Sequence, residues 1–301
     1  MILETLVEAT KKRIAVQKTV LPPEELRRQA EELARGQMPD GGGGVPDFCG
    51  QCQSMVDMGN PCPASSVQPG FKSPGQLFEP FRFEKALAAK GIHFICEVKK
   101  ASPSKGLIAP DFPYVQIAKD YETAGADCIS VLTETDYFLG SDEYFREIRA
   151  RVALPMLRKD FTVDPYMIWQ AKVMGADCVL LIGAVLREGE LKEYLTLCDS
   201  LGLSALVETH NEDEVGMAVR AGARLLGVNN RNLKTFEVDL ATSVRLRGLV
   251  PEDILFVAES GIRTAQDIRV LRQAEVNGVL IGETLMRSQD KRAALDALRA
   301  G

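Results

Sequence analysis

The sequence predicts an α/β fold, a (β/α)8 TIM barrel with extra N-terminal helices and an irregular inserted segment. Three observations predict it. Eight short apolar runs recur in the 301-residue chain: His93–Val98, Cys128–Leu132, Leu154–Leu157, Cys178–Ile182, Ser204–Val207, Leu225–Val228, Ile254–Val257 and Val279–Ile281. Helical patterns separate them, among them YVQIAKDYETAGA, MIWQAKVMGA, EDEVGMAVRAGA and AQDIRVLRQAEV, several leaving through Gly-Ala or a similar small-residue exit. Continuous Val, Ile and Leu runs mark parallel strands covered on their outer face, and eight strand-helix units are the number that closes a barrel. A doubly wound open sheet is the alternative. It is weakened because no G-x-G-x-x-G follows the first strand.

Taken in order, residues 3 to 18 carry Leu3, Leu6, Val7, Ala9 and Ile14 at roughly helical spacing, with a Lys, Arg and Gln face opposite. Pro22 and Pro23 stop that helix and open a second, EELRRQAEELA, whose early acids suit its N-terminus; Gly36 ends it. From Gly36 to Gly75 the composition changes: GGGG at 41 to 44, six prolines and no sustained period predict an irregular insert. The expected organisation is N-terminal helices over 1–35, the insert over 36–75 and a catalytic barrel over 76–301.

The bulk composition removes several function classes. Lys and Arg number 36 against 42 Asp and Glu, a formal charge of -6, so no global basic field gathers nucleic acid or anionic lipid. Glu4 and Glu8 interrupt the N-terminal apolar residues, unlike a signal peptide, and no run approaches the roughly 18 apolar residues of a membrane span. A cytoplasmic protein is expected, acting on a small molecule, with no nucleic-acid or membrane partner. The seven cysteines form no framework, and Cys96, Cys128, Cys178 and Cys198 sit in or beside apolar runs as small core hydrophobes, so disulfides are not expected. Cys49, Cys52 and Cys62 make a C-x2-C-x9-C pattern inside the insert. Three soft ligands without a fourth fall short of a zinc or iron-sulfur site, and a reduced loop is the default. Oxidation of Cys49 and Cys52 to a labile disulfide would instead give the insert a sensing role.

In a barrel the active site lies at the carboxyl ends of the strands, and there the sequence is unusually polar. The first strand ends in Glu97 and Lys99, two apart and so on one face; the third ends LRKD with Lys159, the fifth VETH with Glu208. The sixth ends GVNNRN with Asn229 and Arg231, the seventh VAESG with Glu259 and Ser260. One such charge marks only the passage of a strand into solvent, but five strands converge on one mouth. Ammonium and carboxylate groups gathered at a partly desolvated mouth shift one another's pKa and prepare proton transfer. In the last two loops, ESGIRTAQD and IGETLM place Gly261 and Gly282 just before helix N-termini, where free amides attract phosphate without net positive charge. Ser104, Lys105 and Gly106 do not complete G-x-x-x-x-G-K-[ST], so a mobile first loop over the substrate is expected in place of a nucleotide P-loop. His93 and His210 are the only histidines, too few for a histidine metal centre, and receive no catalytic role.

The residues E-x-K-x-x-S-P (Glu97, Lys99, Ser102, Pro103), with LRKDF, LVETH, GVNNRNL, AESGI and IGETLMR, closely resemble indole-3-glycerol phosphate synthase of tryptophan biosynthesis. The resemblance covers residues 78 to 300 and, more loosely, the first two helices. It implies a cofactor-free, metal-free lyase that closes a ring in 1-(o-carboxyphenylamino)-1-deoxyribulose 5-phosphate and expels carbon dioxide and water. It matches Lys159 to the general acid, Lys99 to the lysine facing the substrate carboxylate, and Glu208 to the base. Which lysine acts as acid in each step stays open. Glu97 and Asn229 match groups orienting lysines and hydroxyls, with Glu259 and Ser260 completing the ring. Ser102, Gly261, Gly282 and the Glu283 backbone match a phosphate cradle, although family members often carry serine where Glu283 stands. Arg231 matches an arginine near the substrate carboxylate, and Phe138 with Leu180 would flank the aromatic ring. A monomer or weak homodimer is expected. Two other functions remain: a phosphate-binding barrel enzyme using Lys99 or Lys159 as a Schiff-base nucleophile, and a non-catalytic metal or redox module acting through the insert.

Overall fold

The computed structural model describes residues 2–36, 79–232 and 235–301. The expectations for Cys49, Cys52 and Cys62 lie outside the described residues.

Eight parallel strands close on themselves. They are β1 (His93–Val98), β4 (Cys128–Leu132), β5 (Met156–Lys159), β6 (Cys178–Ile182), β7 (Ser204–Thr209), β8 (Leu225–Asn229), β9 (Leu255–Glu259) and β10 (Gly278–Ile281). Each pairs with its neighbour in sequence, and β1 closes the ring by pairing with both β4 and β10. A two-residue antiparallel ladder, β2 (Ala101–Ser102) with β3 (Gly106–Leu107), stiffens the first loop. Three strands match the apolar runs at both ends. β5 does not: the run suggests Leu154–Leu157, but Pro155 has no N–H for the ladder, and pairing begins at Met156. Four others shift by one or two residues at one or both ends: β7, β8 and β9 continue into Glu208, Thr209, Asn229 and Glu259, which periodicity assigns to loops, and β10 starts one residue earlier, at Gly278.

Alternation along the strands divides the core in two. Ile95, Cys128, Leu157, Cys178, Leu206, Leu225, Val257 and Leu280 point into the barrel, while Cys96, Ile129, Val179, Val207 and Val279 pack outward beneath the helices. A short helix, α3 (Arg82–Leu87), sets Phe83 and Leu87 against the inward cluster, fully buried at the amino ends of the strands. All four described cysteines are buried and free, and burial pushes each thiol up, so they act as packing groups.

Two further helices precede the barrel, α1 (Ile2–Val20) and α2 (Pro23–Ala34), the second opening on Pro23 and followed by Gly36 at φ +72°. In α2, Leu26, Ala30 and Leu33 are buried, and the helix packs on the one at Pro165–Val173. In α1 every fourth residue from Leu6 through Thr10 to Ile14 is buried, one stripe of a helix laid on the barrel. Arg13 fixes it there, donating to both oxygens of Asp160 at 2.8 and 2.7 Å. Asp160 also accepts from Thr133 Oγ1 at 2.6 Å. Burial alone would raise its carboxyl, but Arg13 and Arg158 outweigh that and hold it below the usual carboxylate range. Among the described residues no helix is long and apolar enough to cross a membrane.

Candidate active site

At the carboxyl ends of the strands the side chains open into a cavity of about 180 Å3. It is lined by every site residue named from the sequence, from Glu97 in β1 to Glu283 after β10. The strands bring them together by register: Leu132 pairs with Lys159, Ile182 with Glu208, and Asn229 with Glu259, so the last inward position of each strand falls at a similar height.

Lys159 sits at the centre. Its Nζ donates to Glu208 Oε2 at 2.9 Å and lies 3.1 Å from Glu259 Oε2. Burial would pull this ammonium down, but Glu208, Glu259 and Glu97 outweigh it and hold the group protonated beyond an ordinary lysine. The two carboxylates are not equivalent. Burial opposes ionisation of Glu208, yet Lys159 and then His210 overcome it, and its carboxyl stays well below the usual range. Burial and the nearby negative charge of Glu208 instead push Glu259 up to about 7, against a smaller pull from Lys159. Glu259 Oε1 is buried without a hydrogen-bond partner, consistent with a carboxyl that takes up a proton easily. One ammonium shared by a firmly ionised and a weakly ionised carboxylate is an arrangement for moving protons near neutral pH.

Lys99 belongs to a separate pair, donating to Glu97 Oε1 at 2.5 Å. That pair depends on the absence of a side chain at Gly282, where a Cβ would stand 2.3 Å from Glu97 Oε1 and 2.7 Å from Lys99 Nζ. Gly227 does the same for Glu259, whose Oε1 would lie 2.4 Å from a Cβ there. Asn229 donates to Glu208 Oε1 at 3.2 Å and accepts from the Arg231 backbone at 3.1 Å. The Arg231 guanidinium bonds to the Phe236 carbonyl at 3.2 Å.

One wall is apolar. Phe138 and Phe161 stand with ring centroids 6.3 Å apart, and Leu180, Leu3 and Leu6 also line the cavity. Phe138 is carried by a loop that Glu134 organises, its carboxylate accepting from the backbone of Asp136, Tyr137 and Phe138 at 2.8 to 2.9 Å. The remaining end carries Ser102, Ser260 and Gly261, the last two at φ +66° and +82°, beside Gly282. Ser260 holds a left-handed backbone that a non-glycine residue seldom adopts. The Glu283 carboxylate accepts from Arg287 Nε at 3.1 Å and lies 3.9 Å from Lys105 Nζ, so two cations offset its charge.

The family model and the curated relatives agree on one family. The family model for indole-3-glycerol phosphate synthase matches residues 65–298. The chain belongs to the indole-3-glycerol phosphate synthase family. A relative of that name from Ruminiclostridium cellulolyticum is 63% identical over 220 residues, 73% of this chain and 85% of that protein. Another from Lachnoclostridium phytofermentans is 47% identical over 301 residues, 100% of this chain and 99% of that one. Among solved structures, 3-hexulose-6-phosphate synthase superposes with a TM-score of 0.54 at 16% identity, covering 69% of this chain and 99% of that one. Thiamine phosphate pyrophosphorylase from Pyrococcus furiosus gives 0.52 at 17%, covering 69% and 93%. At such identities these two show the barrel alone.

Four contributors to the site went unassigned in the sequence. Phe161 follows LRKD directly and was readable there; Leu3 and Leu6 reach the cavity only through the docking of α1. His210, set aside because two histidines are too few for a metal centre, lies with Nε2 3.3 Å from Glu208 Oε1.

Proposed function

We propose that the chain converts 1-(o-carboxyphenylamino)-1-deoxyribulose 5-phosphate into indole-3-glycerol phosphate, carbon dioxide and water, as a carboxy-lyase of tryptophan biosynthesis. The atoms balance with no co-reactant. Family membership supports the reaction, and one observation supports its assignment to residues: Lys159 lies within 3.1 Å of both Glu208 and Glu259, beside an apolar wall.

In this reading the anthranilate ring lies against Phe138, Phe161 and Leu180, and the sugar phosphate points to Ser102, Gly261, Gly282 and the Glu283 backbone. Lys99 and Arg231 take the substrate carboxylate. As the ring carbon that bears this carboxylate attacks the ribulose carbonyl, Lys159 protonates the oxygen that becomes a hydroxyl. Loss of carbon dioxide returns the electron pair to the ring. Departure of the hydroxyl as water, assisted by Lys99, and removal of a proton by Glu208 complete the indole. Glu97, Asn229, Glu259 and Ser260 hold these groups in register. The polar wall faces the bonds that break, while the apolar wall keeps water from developing charge.

A Schiff-base mechanism needs a neutral amine, and the three carboxylates around Lys159 keep its amine protonated. The same reading makes the working protein a cytoplasmic monomer or weak homodimer, with residues 36–75 outside the catalytic machinery. The deciding experiment follows indole-product fluorescence for the parent and Glu208→Gln. Turnover of the variant should fall by roughly 10²- to 10⁴-fold while substrate binds nearly as before. A variant within tenfold of the parent, or an adduct trapped by borohydride on either lysine, would overturn the assignment.

A further inference from the structure

We propose that His210 is a positioning residue for Glu208, a fixed cation held between two carboxylates that keeps the base ionised and oriented while Lys159 gives up its proton. The proposal rests on the reading of Glu208 as the base and Lys159 as the acid.

The geometry begins with the strand exit. Glu208 lies in β7 and His210 just beyond it; two residues apart in extended chain, they share a face. Glu208 is thereby approached from three elements. Lys159 of β5 and Asn229 of β8 donate to its two oxygens, and His210 Nε2 stands 3.3 Å from Oε1. Glu259 of β9 adds a negative charge to the same cluster, and Glu97 of β1 acts on it through Lys159.

The other face of the imidazole is locked. Nδ1 lies 3.0 Å from Glu214 Oε2, and the same oxygen accepts the His210 backbone N–H at 2.9 Å. Glu214 is held in turn by Asn211, which caps the helix Glu212–Ala221, accepting from the Glu214 backbone at 3.0 Å and donating to Oε1 at 2.7 Å. The hydrogen bond to Glu214 fixes the ring's orientation, and Glu208, at ion-pair distance from Nε2 without an aligned hydrogen bond, joins Glu214 in favouring its charged form. Burial opposes that charge, but the two carboxylates raise the imidazole to about 10.

The consequence concerns a moment in the reaction. While Lys159 is protonated, its charge is divided between Glu208 and Glu259. When it has passed a proton to the substrate, the buried carboxyl groups of Glu208 and Glu259 face a neutral amine, and Glu208 is the one that must stay ionised. Among the described residues, His210 is then the cation still in contact with Glu208. Without it Glu208 would be more easily protonated and less available as a base for the dehydration.

The chain has two histidines, so proton NMR gives two imidazole C2–H signals, and His210→Gln assigns them. In the parent the His210 signal should titrate at least about two units above the ordinary 6.5, and Glu214→Gln should lower it by about a unit. In the pH profile of kcat/KM, His210→Gln should move the acid limb up by about one unit or more. It should lower kcat at neutral pH by roughly 10- to 100-fold with KM within about threefold. A parent His210 signal titrating near 6.5, or a variant whose activity falls equally at all pH, would overturn the proposal. If Glu208→Gln keeps its turnover, the base assignment is what fails, because the NMR titration reads the His210 contact whatever Glu208 does in catalysis.

Discussion

Replacing Lys159 by Met keeps most of the side chain's volume and removes its charge, which isolates what the ammonium does for folding and for catalysis. The group is 13% exposed and the carboxylates at 2.9 and 3.1 Å are 5% and 2% exposed, so water cannot take its place. Breaking a buried ion pair by removing one partner costs about 3–5 kcal/mol, because the charge left behind is uncompensated. Here two charges are left, but one can be neutralised: Glu259 already titrates near 7 with the lysine present, and without it the carboxyl rises further and stays protonated at neutral pH. The variant should therefore lose roughly 3–5 kcal/mol at pH 8.5 and less than about 2 kcal/mol at pH 5.5, read from denaturant unfolding at the two pH values. Activity should not recover with acid. Loss of a general acid costs about 10²- to 10⁴-fold, and the missing proton donor is missing at every pH. Turnover within tenfold of the parent, or a stability penalty equal at both pH values, would refute the account of Lys159 as the charged centre of the site.

Three other outcomes are expected. Gly282→Ala has a permissible backbone at φ -109° but would drive a methyl group into the Glu97–Lys99 pair; stability should fall by about 1–3 kcal/mol and kcat/KM by more than tenfold, measured by thermal melting and product fluorescence. Arg13→Ala removes the closer of the two guanidinium groups at buried Asp160, leaving Arg158 at 3.7 Å as its charged partner. That carboxyl's stabilising contribution is present above about pH 4 and lost on acidification, so the variant's deficit of about 3–5 kcal/mol should be largest at neutral pH and shrink toward pH 3 in acid-unfolding curves. Glu259→Gln tests the raised carboxyl. Because folded Glu259 holds its proton from about 4.5 up to about 7 while the unfolded chain releases it, parent stability should decline with rising pH across that window; the variant should flatten the slope between 4.5 and 6.5, by up to about 3 kcal/mol in pH-dependent melts.

The fold was legible because a closed parallel barrel buries both faces of every strand, leaving apolar runs that need no alternation to be seen. Where the rule slipped, at β5, a single proline had moved the start of the ladder. The charged ring was legible for a related reason: polar residues at the ends of buried strands have no packing purpose, and Glu97 with Lys99 shows the two-residue step that places both on one face. The same step joins Glu208 to His210, and Asn211 with Glu214 three residues later is a recognisable helix start, so His210 was within reach of the sequence. Other features were not. That Gly227 leaves room for the carboxylate of Glu259, or that Leu3 of α1 walls the cavity, depends on contacts between segments far apart in the chain, which local pattern does not record. The short plug helix α3 gave no signal because six residues are too few to display a period.

That plug has a bearing on traffic. Phe83 and Leu87 seal the floor of the barrel against its innermost side chains, so molecules reach the chamber from the rim. In the proposed reaction, the gas released in mid-course and the bulky bicyclic product then leave through the same doorway. One opening thus serves the entry of the substrate and the departure of both products.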